Sequence, residues 1–244
     1  MRFLLLALLF TTTLHAQQTM HVWAKSGLTV RAAGDAEAEK IGKLNHGTQV
    51  ELTGEYGEQL LLPTYAAFDI DFYDEAVTSD AWSMLDHYVE VKYEGGTGWV
   101  YAGFLSRFDP PSIVNGEPDL FAWLESIGGR PDTSNFESRD QAYYQERYLY
   151  SYRDGLTCTM EQGEGYGATS YVFPFASLNE GFLIADQFFG TTKYLREARE
   201  DESGETFYIL EVPSNQALIF HAEMSAIEIR VVGTTLIIVS SGGC

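Results

Sequence analysis

The sequence predicts a mainly β protein in two units. A small β-barrel occupies residues 20–107 and carries a long loop insertion at 58–86. An α+β unit, an antiparallel sheet packed by a helix, occupies 140–244. Three observations carry this expectation. Short alternating strands separated by glycine turns crowd the first hundred residues. Asp109-Pro110-Pro111-Ser112 then breaks the pattern with two prolines and a turn former. Beyond it, a Ser-x-x-Glu helix start sits among closely spaced strand patterns.

The chain opens with Met1-Arg2, a short apolar run from Phe3 to Phe10, and a polar approach to Ala16. Residues 1–16 read as a secretory signal peptide cut between Ala16 and Gln17. The run is far shorter than the roughly 18–20 apolar residues a membrane anchor needs, and no cysteine lies beside the cut for a lipid. The expectation is an exported protein, periplasmic or extracellular, with no membrane span. At 45% hydrophobic residues the chain has material for real cores. Its net charge of −20 repels phosphate backbones and anionic lipid heads. Nucleic acid and membrane surfaces are therefore not expected partners; solubility alone accounts for the charge, and a cationic partner is compatible with it.

In the first unit, Leu28, Val30 and Ala32 alternate with Thr29 and Arg31 as a half-buried strand requires. Ile41, Leu44, Val50 and Leu52 form a second strand region after the turn-rich stretch 34–40. Tyr88 to Tyr93 is strand-like, Glu94-Gly95-Gly96-Thr97 turns, and Trp99 to Phe104 returns. Three of these pieces, in order, resemble the bacterial SH3 domain. They are Gly27-Leu28-Thr29-Val30-Arg31, Gly47-Thr48-Gln49-Val50-Glu51-Leu52, and Thr97-Gly98-Trp99-Val100-Tyr101-Ala102-Gly103-Phe104-Leu105-Ser106. The resemblance covers about a third of the chain and implies a small barrel used by exported proteins to bind the cell envelope. It departs from the family at 58–86, an insertion rich in aromatics and acids and without clear structure, so expected to be functional or mobile. Tyr88 stands near the family's usual Trp position.

Residues 108–139 read as a linker with a short helix from Pro118 to Ile127, proline in its first turn and Gly128-Gly129 beyond its end. In the last unit, Tyr148, Tyr150 and Tyr152 alternate toward the hairpin signal Asp154-Gly155, and Leu156, Cys158 and Met160 alternate on the way back. Ser177-Leu178-Asn179-Glu180 is a capping box for a helix that runs through Phe189 and stops at Gly190. Leu178, Phe182, Ala185 and Phe189 share a face that needs a sheet. Strands at 206–212, 217–223, 226–232 and 235–240, joined by short turns, supply it as a meander.

Reactive chemistry is sparse. Cys158 and Cys244 are the only cysteines. In an oxidising compartment they pair as one disulfide, or they are two separate thiols with Cys158 in a core. Cys158 sits mid-strand with no helix start to activate it, and nothing in the spacing brings His221 to it. His21, His46, His87 and His221 show no zinc spacing, although His221 and Glu223 share a strand face. Asp69 and Asp71 open like a calcium loop, yet Tyr73 fills position five and no glycine follows, so solvated acids are expected. Gly163-Glu164-Gly165-Tyr166-Gly167 is a turn whose acid repels phosphate, and 197–205 is a charged hairpin tip. No cofactor is expected.

Aromatics carry the remaining case. By the SH3 resemblance, Trp23, Tyr56, Tyr88 and Tyr101 line a shallow peptide groove, with Trp82 reaching in from the insertion. Trp99 is expected inside the barrel and Arg31 on turn carbonyls. The expectation is a non-enzymatic binding protein whose partner is a cell-wall peptide or an envelope protein. A cell-wall hydrolase or its accessory subunit, and an inhibitor of a basic secreted enzyme, are the alternatives.

Overall fold

The computed structural model describes residues 18–72, 75–114, 117–140, 143–197, 209–222 and 224–243. The leader at 1–16, Tyr73, Asp74, Glu223, Cys244 and most of the expected tip at 197–205 lie outside them.

The first nine strands are β1 (Thr19–Val22), β2 (Leu28–Arg31), β3 (Lys40–Leu44), β4 (Gln49–Tyr65), β5 (Phe68–Phe72), β6 (Glu75–Ser79), β7 (Trp82–Tyr93), β8 (Gly96–Tyr101) and β9 (Leu105–Ser106). Seven of them form a curled antiparallel sheet in the order β3-β2-β8-β7-β4-β1-β9. The alternation read from sequence points Leu28, Val30, Val50, Val91, Val100 and Leu105 into one buried cluster. Gly98 is required by the crossing of β8 over β2, because a Cβ there would stand 2.4 Å from Val30 Cγ1. In Gly-Trp-Val it is thus Val100 that fills the barrel. Trp99 is only half-buried, on the other face, with its ring where a Cβ on Gly34 would go. Arg31 holds the following loop through Nη1 to the Ala38 carbonyl at 2.7 Å.

The insertion is not a structureless loop. β4 runs 17 residues and β7 runs 12. Their outer halves pair from Gln59↔His87 to Tyr65↔Trp82, and β5–β6 is a separate hairpin at the tip. Register shifts near Tyr56 and Pro63 bend this ribbon out of the barrel, as bulges do. The sequence carried the signal: Leu60 and Leu62, and Trp82 and Met84, share the inner face.

The next elements are β10 (Ile113–Val114), β11 (Glu117–Pro118) and helix α1 (Leu120–Gly128). Asp119 caps α1 by accepting from Ala122 N–H at 3.0 Å, so Pro118 precedes the helix rather than sitting in its first turn. The linker ends earlier than expected, because β12 (Asp132–Asp140) already pairs with β13 (Tyr143–Ser151). β14 (Thr157–Gly163) and β15 (Tyr166–Pro174) follow, then helices α2 (Leu178–Phe189) and α3 (Thr191–Glu197). The meander β16 (Ile209–Ser214), β17 (Ala217–His221), β18 (Ser225–Val232) and β19 (Thr235–Gly243) completes the chain. These eight strands make one antiparallel sheet, β12-β13-β14-β15-β19-β18-β17-β16. At the β13–β14 turn, Asp154 (φ 59°) and Gly155 (φ 77°) both take the left-handed conformation their sequence signals.

Helix α2 is buried on two sides. Gly181 is its closest approach to the sheet, since a Cβ there would lie 2.5 Å from Leu236 Cδ1 and 2.7 Å from Ile229 Cγ2. Phe182, expected on the sheet face with Ala185, instead turns to the β4–β7 ribbon and stacks 4.8 Å from Trp82. Every residue from Glu180 to Ala185 is buried. The main hydrophobic cluster therefore runs through both halves, joining Trp23, Tyr65, Trp82 and Met84 to Trp123, Phe182 and Phe220.

Candidate functional site

Where the barrel meets α2 there is an apolar cleft of about 580 Å³. The turn between β1 and β2 forms one wall, with Trp23 at its base and Lys25 at its rim. The inner face of β4, Leu60 and Leu62, forms the opposite wall, and Tyr88 and Tyr101 lie between. Phe182, Leu183 and Asp186 of α2 close the far side. Gly27 is at φ 84°, and a Cβ on it would meet the Leu44 carbonyl at 2.7 Å, so this turn needs glycine.

Polar groups are few and mostly engaged. Lys25 Nζ donates to Asp186 Oδ2 at 2.9 Å across the rim. Asp186 Oδ1 accepts the Thr192 N–H at 2.8 Å. The Tyr65 and Thr192 hydroxyls are 2.8 Å apart. Tyr101 donates its hydroxyl to the Met84 carbonyl at 2.8 Å, and burial, with Asp86 nearby, raises its pKa well above the ordinary phenol value. A phenol held this way is a structural donor rather than an acid–base group. What the cleft offers a ligand is apolar wall, with Lys25 and Asp186 at its edge and Arg31, held by the Ala38 carbonyl, also in its lining.

The five aromatics expected to line an exposed groove divide differently. Trp23, Trp82, Tyr88 and Tyr101 are buried. Trp23 donates Nε1–H to the Phe108 carbonyl at 2.7 Å and packs edge-on against Trp123, wedging the barrel to α1. Trp82 is spent on Phe182 and Tyr65. Tyr56 is 69% exposed, on the outer side of the ribbon beside His87. Trp23, Tyr88 and Tyr101 still border the cleft; Trp82 and Tyr56 do not. Lys25, Leu60, Leu62 and Asp186 were not singled out from sequence, because they come together only when the insertion folds back on α2.

Cys158 is a free thiol, fully buried, and burial pushes its pKa up to about 12. His221 lies four strands away on β17, about 19 Å across the sheet, and its Nε2 is 3.1 Å from Glu211 Oε2. The two do not form a catalytic pair. Cys244, the expected partner of a bridge to Cys158, lies outside the described residues. Asp69 accepts the Thr78 hydroxyl at 2.7 Å across the β5–β6 hairpin, and Glu164-Gly165 turns between β14 and β15. Among the described residues no group of three or more His, Cys, Asp or Glu is placed to hold a metal ion, and no helix is long and apolar enough to cross a membrane.

Searches of curated proteins and of solved structures each returned no match. A family model does match: residues 26–106, from the turn that walls the cleft to the end of β9 and including the ribbon, are similar to the bacterial SH3 domain.

Proposed function

We propose that this is an exported protein that binds a peptide-bearing component of the cell envelope without transforming it. The binding place is the cleft between the SH3-like barrel and α2. The observation that carries the reading is the position of that cleft. One side of it, with Leu60, Leu62, Tyr88 and Tyr101, belongs to the segment similar to the bacterial SH3 domain, α2 forms the other, and Lys25 and Asp186 stand at its mouth. An extended peptide fits such a wall, its apolar side chains against Leu60 and Leu62 and its charges at the rim. The binding role is supported by the burial of Cys158 and its separation from His221, which leave the internal thiol without a base.

The test is co-sedimentation of the full mature chain with purified cell-wall sacculi. Lys25→Glu and Leu62→Gln are expected to lower the bound fraction several-fold, while Arg147→Gln, on the far sheet, is expected to leave it unchanged. Sedimentation no greater than that of an unrelated acidic protein, or indifference to both cleft variants, would overturn the reading.

A further inference from the structure

A second cavity, of about 500 Å³, lies at the opposite end of the junction, where the chain leaves β9 and passes the β13–β14 turn. Arg107 and Arg153 both line it, with His21 beside them and Phe108, Leu156 and Phe173 as apolar surface. Elsewhere in the molecule Lys25–Asp186, Arg147–Glu161 and Arg230–Glu228 form ion pairs. Arg107 and Arg153 have no carboxylate within ion-pair distance among the described residues. Arg107 donates one terminal N–H to the Pro174 carbonyl and lies over the Phe108 ring, yet its buried Nε–H has no acceptor. Arg153 lies against Gly129, in the space a Cβ would fill.

Two acids also line the cavity. Asp109 Oδ1 is 3.3 Å from His21 Nδ1, with its side chain 71% exposed, and Asp154 is exposed on the turn. Neither is an ion-pair partner of the arginines.

At the lip stands Phe175. It has φ 61°, a backbone region an aromatic residue rarely adopts, and is pinned there by its N–H to the Thr234 carbonyl. The result is a phenyl ring 73% exposed beside the cavity. An outlier held in place, an unsatisfied buried guanidinium N–H and two unpaired arginines over an apolar floor make one constellation.

We propose that this cavity is a binding site for a carboxylate joined to an apolar group, such as the free C-terminus of a peptide ending in an apolar residue. Arg107 and Arg153 take the carboxylate, whose oxygens match guanidinium N–H groups. Phe108 and Leu156 take the apolar part, and Phe175 covers it.

The experiment is calorimetric titration of the full mature chain with N-acetyl-leucine and with its uncharged amide, N-acetyl-leucinamide. The acid is expected to bind saturably and the amide at least about tenfold more weakly, the loss of one charge-assisted contact. Arg153→Gln, at an exposed side chain with no hydrogen bond among the described residues, is expected to weaken the acid about tenfold with an unchanged far-ultraviolet spectrum. Nuclear magnetic resonance supplies the location. The indole N–H signals of Trp23 and Trp123, donated to the carbonyls of Phe108 and Asp109, are expected to move, and that of Trp82 to stay. Equal affinity for acid and amide, no saturation by either, an unaffected Arg153→Gln protein, or a shift confined to Trp82 would each overturn the assignment.

Discussion

Replacing Glu180 tests how the two halves are joined. Glu180 lies in the first turn of α2 and is buried, and its carboxylate accepts three hydrogen bonds from two parts of the molecule. Oε2 accepts the Ser177 N–H at 2.9 Å, completing the capping box. Oε1 accepts the Ser106 hydroxyl at 2.9 Å and the Arg107 N–H at 3.2 Å, at the end of β9. Ser106 is itself fully buried and accepts the Phe108 N–H at 3.1 Å. A capping glutamate costs about 1 kcal/mol to lose when it serves only its own helix. Here Glu180→Ala strands two more donors in the junction, the buried Ser106 hydroxyl and the part-buried Arg107 N–H, each at about 1–3 kcal/mol. Partial relaxation and water entry bring the expected loss to about 4 kcal/mol, within the range for removing one buried charged partner. In a chain of this size that is a fall in Tm of about 8–16 °C.

Urea and thermal unfolding of the full chain measure it, with Ser177→Ala as the cap-only control at about 1 kcal/mol. The double-mutant cycle with Ser106→Ala is expected to return a coupling of about 1–2 kcal/mol. A Glu180→Ala loss no larger than that of Ser177→Ala, or a coupling near zero, would refute the claim that this carboxylate ties barrel to helix.

Trp82→Ala removes a buried indole from between Phe182 and Tyr65 and is expected to cost about 3–5 kcal/mol in urea unfolding. Tyr56→Ala, at an exposed ring, should cost under about 0.5 kcal/mol; similar costs for the two would contradict the ribbon's docking. Cys158 should resist iodoacetamide in the folded chain at pH 8, and two thiols per chain should react after denaturation without reductant; no reactive thiol after denaturation would establish the bridge to Cys244 instead. Because burial raises the Cys158 thiol from the ordinary 9 to about 12, the unfolded chain holds fewer protons than the folded one between those values. Its contribution is intact below pH 9 and lost as pH rises toward 12, at up to about 1.4 kcal/mol per unit. Cys158→Ala should flatten that decline, and an unchanged slope would assign it elsewhere.

Local rules made much of this fold legible. Ser177 and Glu180 mark the start of α2 and Gly190 its end, because capping is satisfied by neighbours in sequence. Leu28, Val30, Val50 and Val100 announce the barrel by alternation alone. The ribbon was missed because its signal is divided: Leu60 and Leu62 on one strand match Trp82 and Met84 on another some twenty residues later, and acids fill the gap. The candidate site was missed for a related reason. An aromatic next to a family motif reads as a ligand contact, whereas Trp23 and Tyr101 have their polar atoms engaged by Phe108 and Met84 carbonyls. No local pattern distinguishes a ring offered to a ligand from one offered to another part of the same chain. The second role of Glu180 is invisible in sequence on the same grounds.

The ribbon settles whether the barrel stands as an independent binding module. An SH3-like barrel with a short connection after its Gly-Thr strand would carry its own core and little else. In this chain the added length of β4 and β7 brings Tyr65, Trp82 and Met84 into the cluster that contains Phe182 and Phe220. The tip is sewn to the edge of the second sheet as well. Asp80 N–H donates to the Leu210 carbonyl at 2.7 Å, Leu210 N–H to the Ser79 hydroxyl at 3.0 Å, and Val212 N–H to Asp80 Oδ2 at 2.8 Å. Cutting the chain after β9 would expose two large aromatics and a methionine and leave the fully buried Ser79 without its partner. Such an exposed apolar patch promotes adhesion to any surface. A fragment ending near residue 107 would therefore stick to sacculi for reasons unrelated to the cleft, and its binding would not discriminate. Since α2 forms one side of the cleft, the complete site exists only when both halves are present, and only the full chain can show whether it holds a peptide.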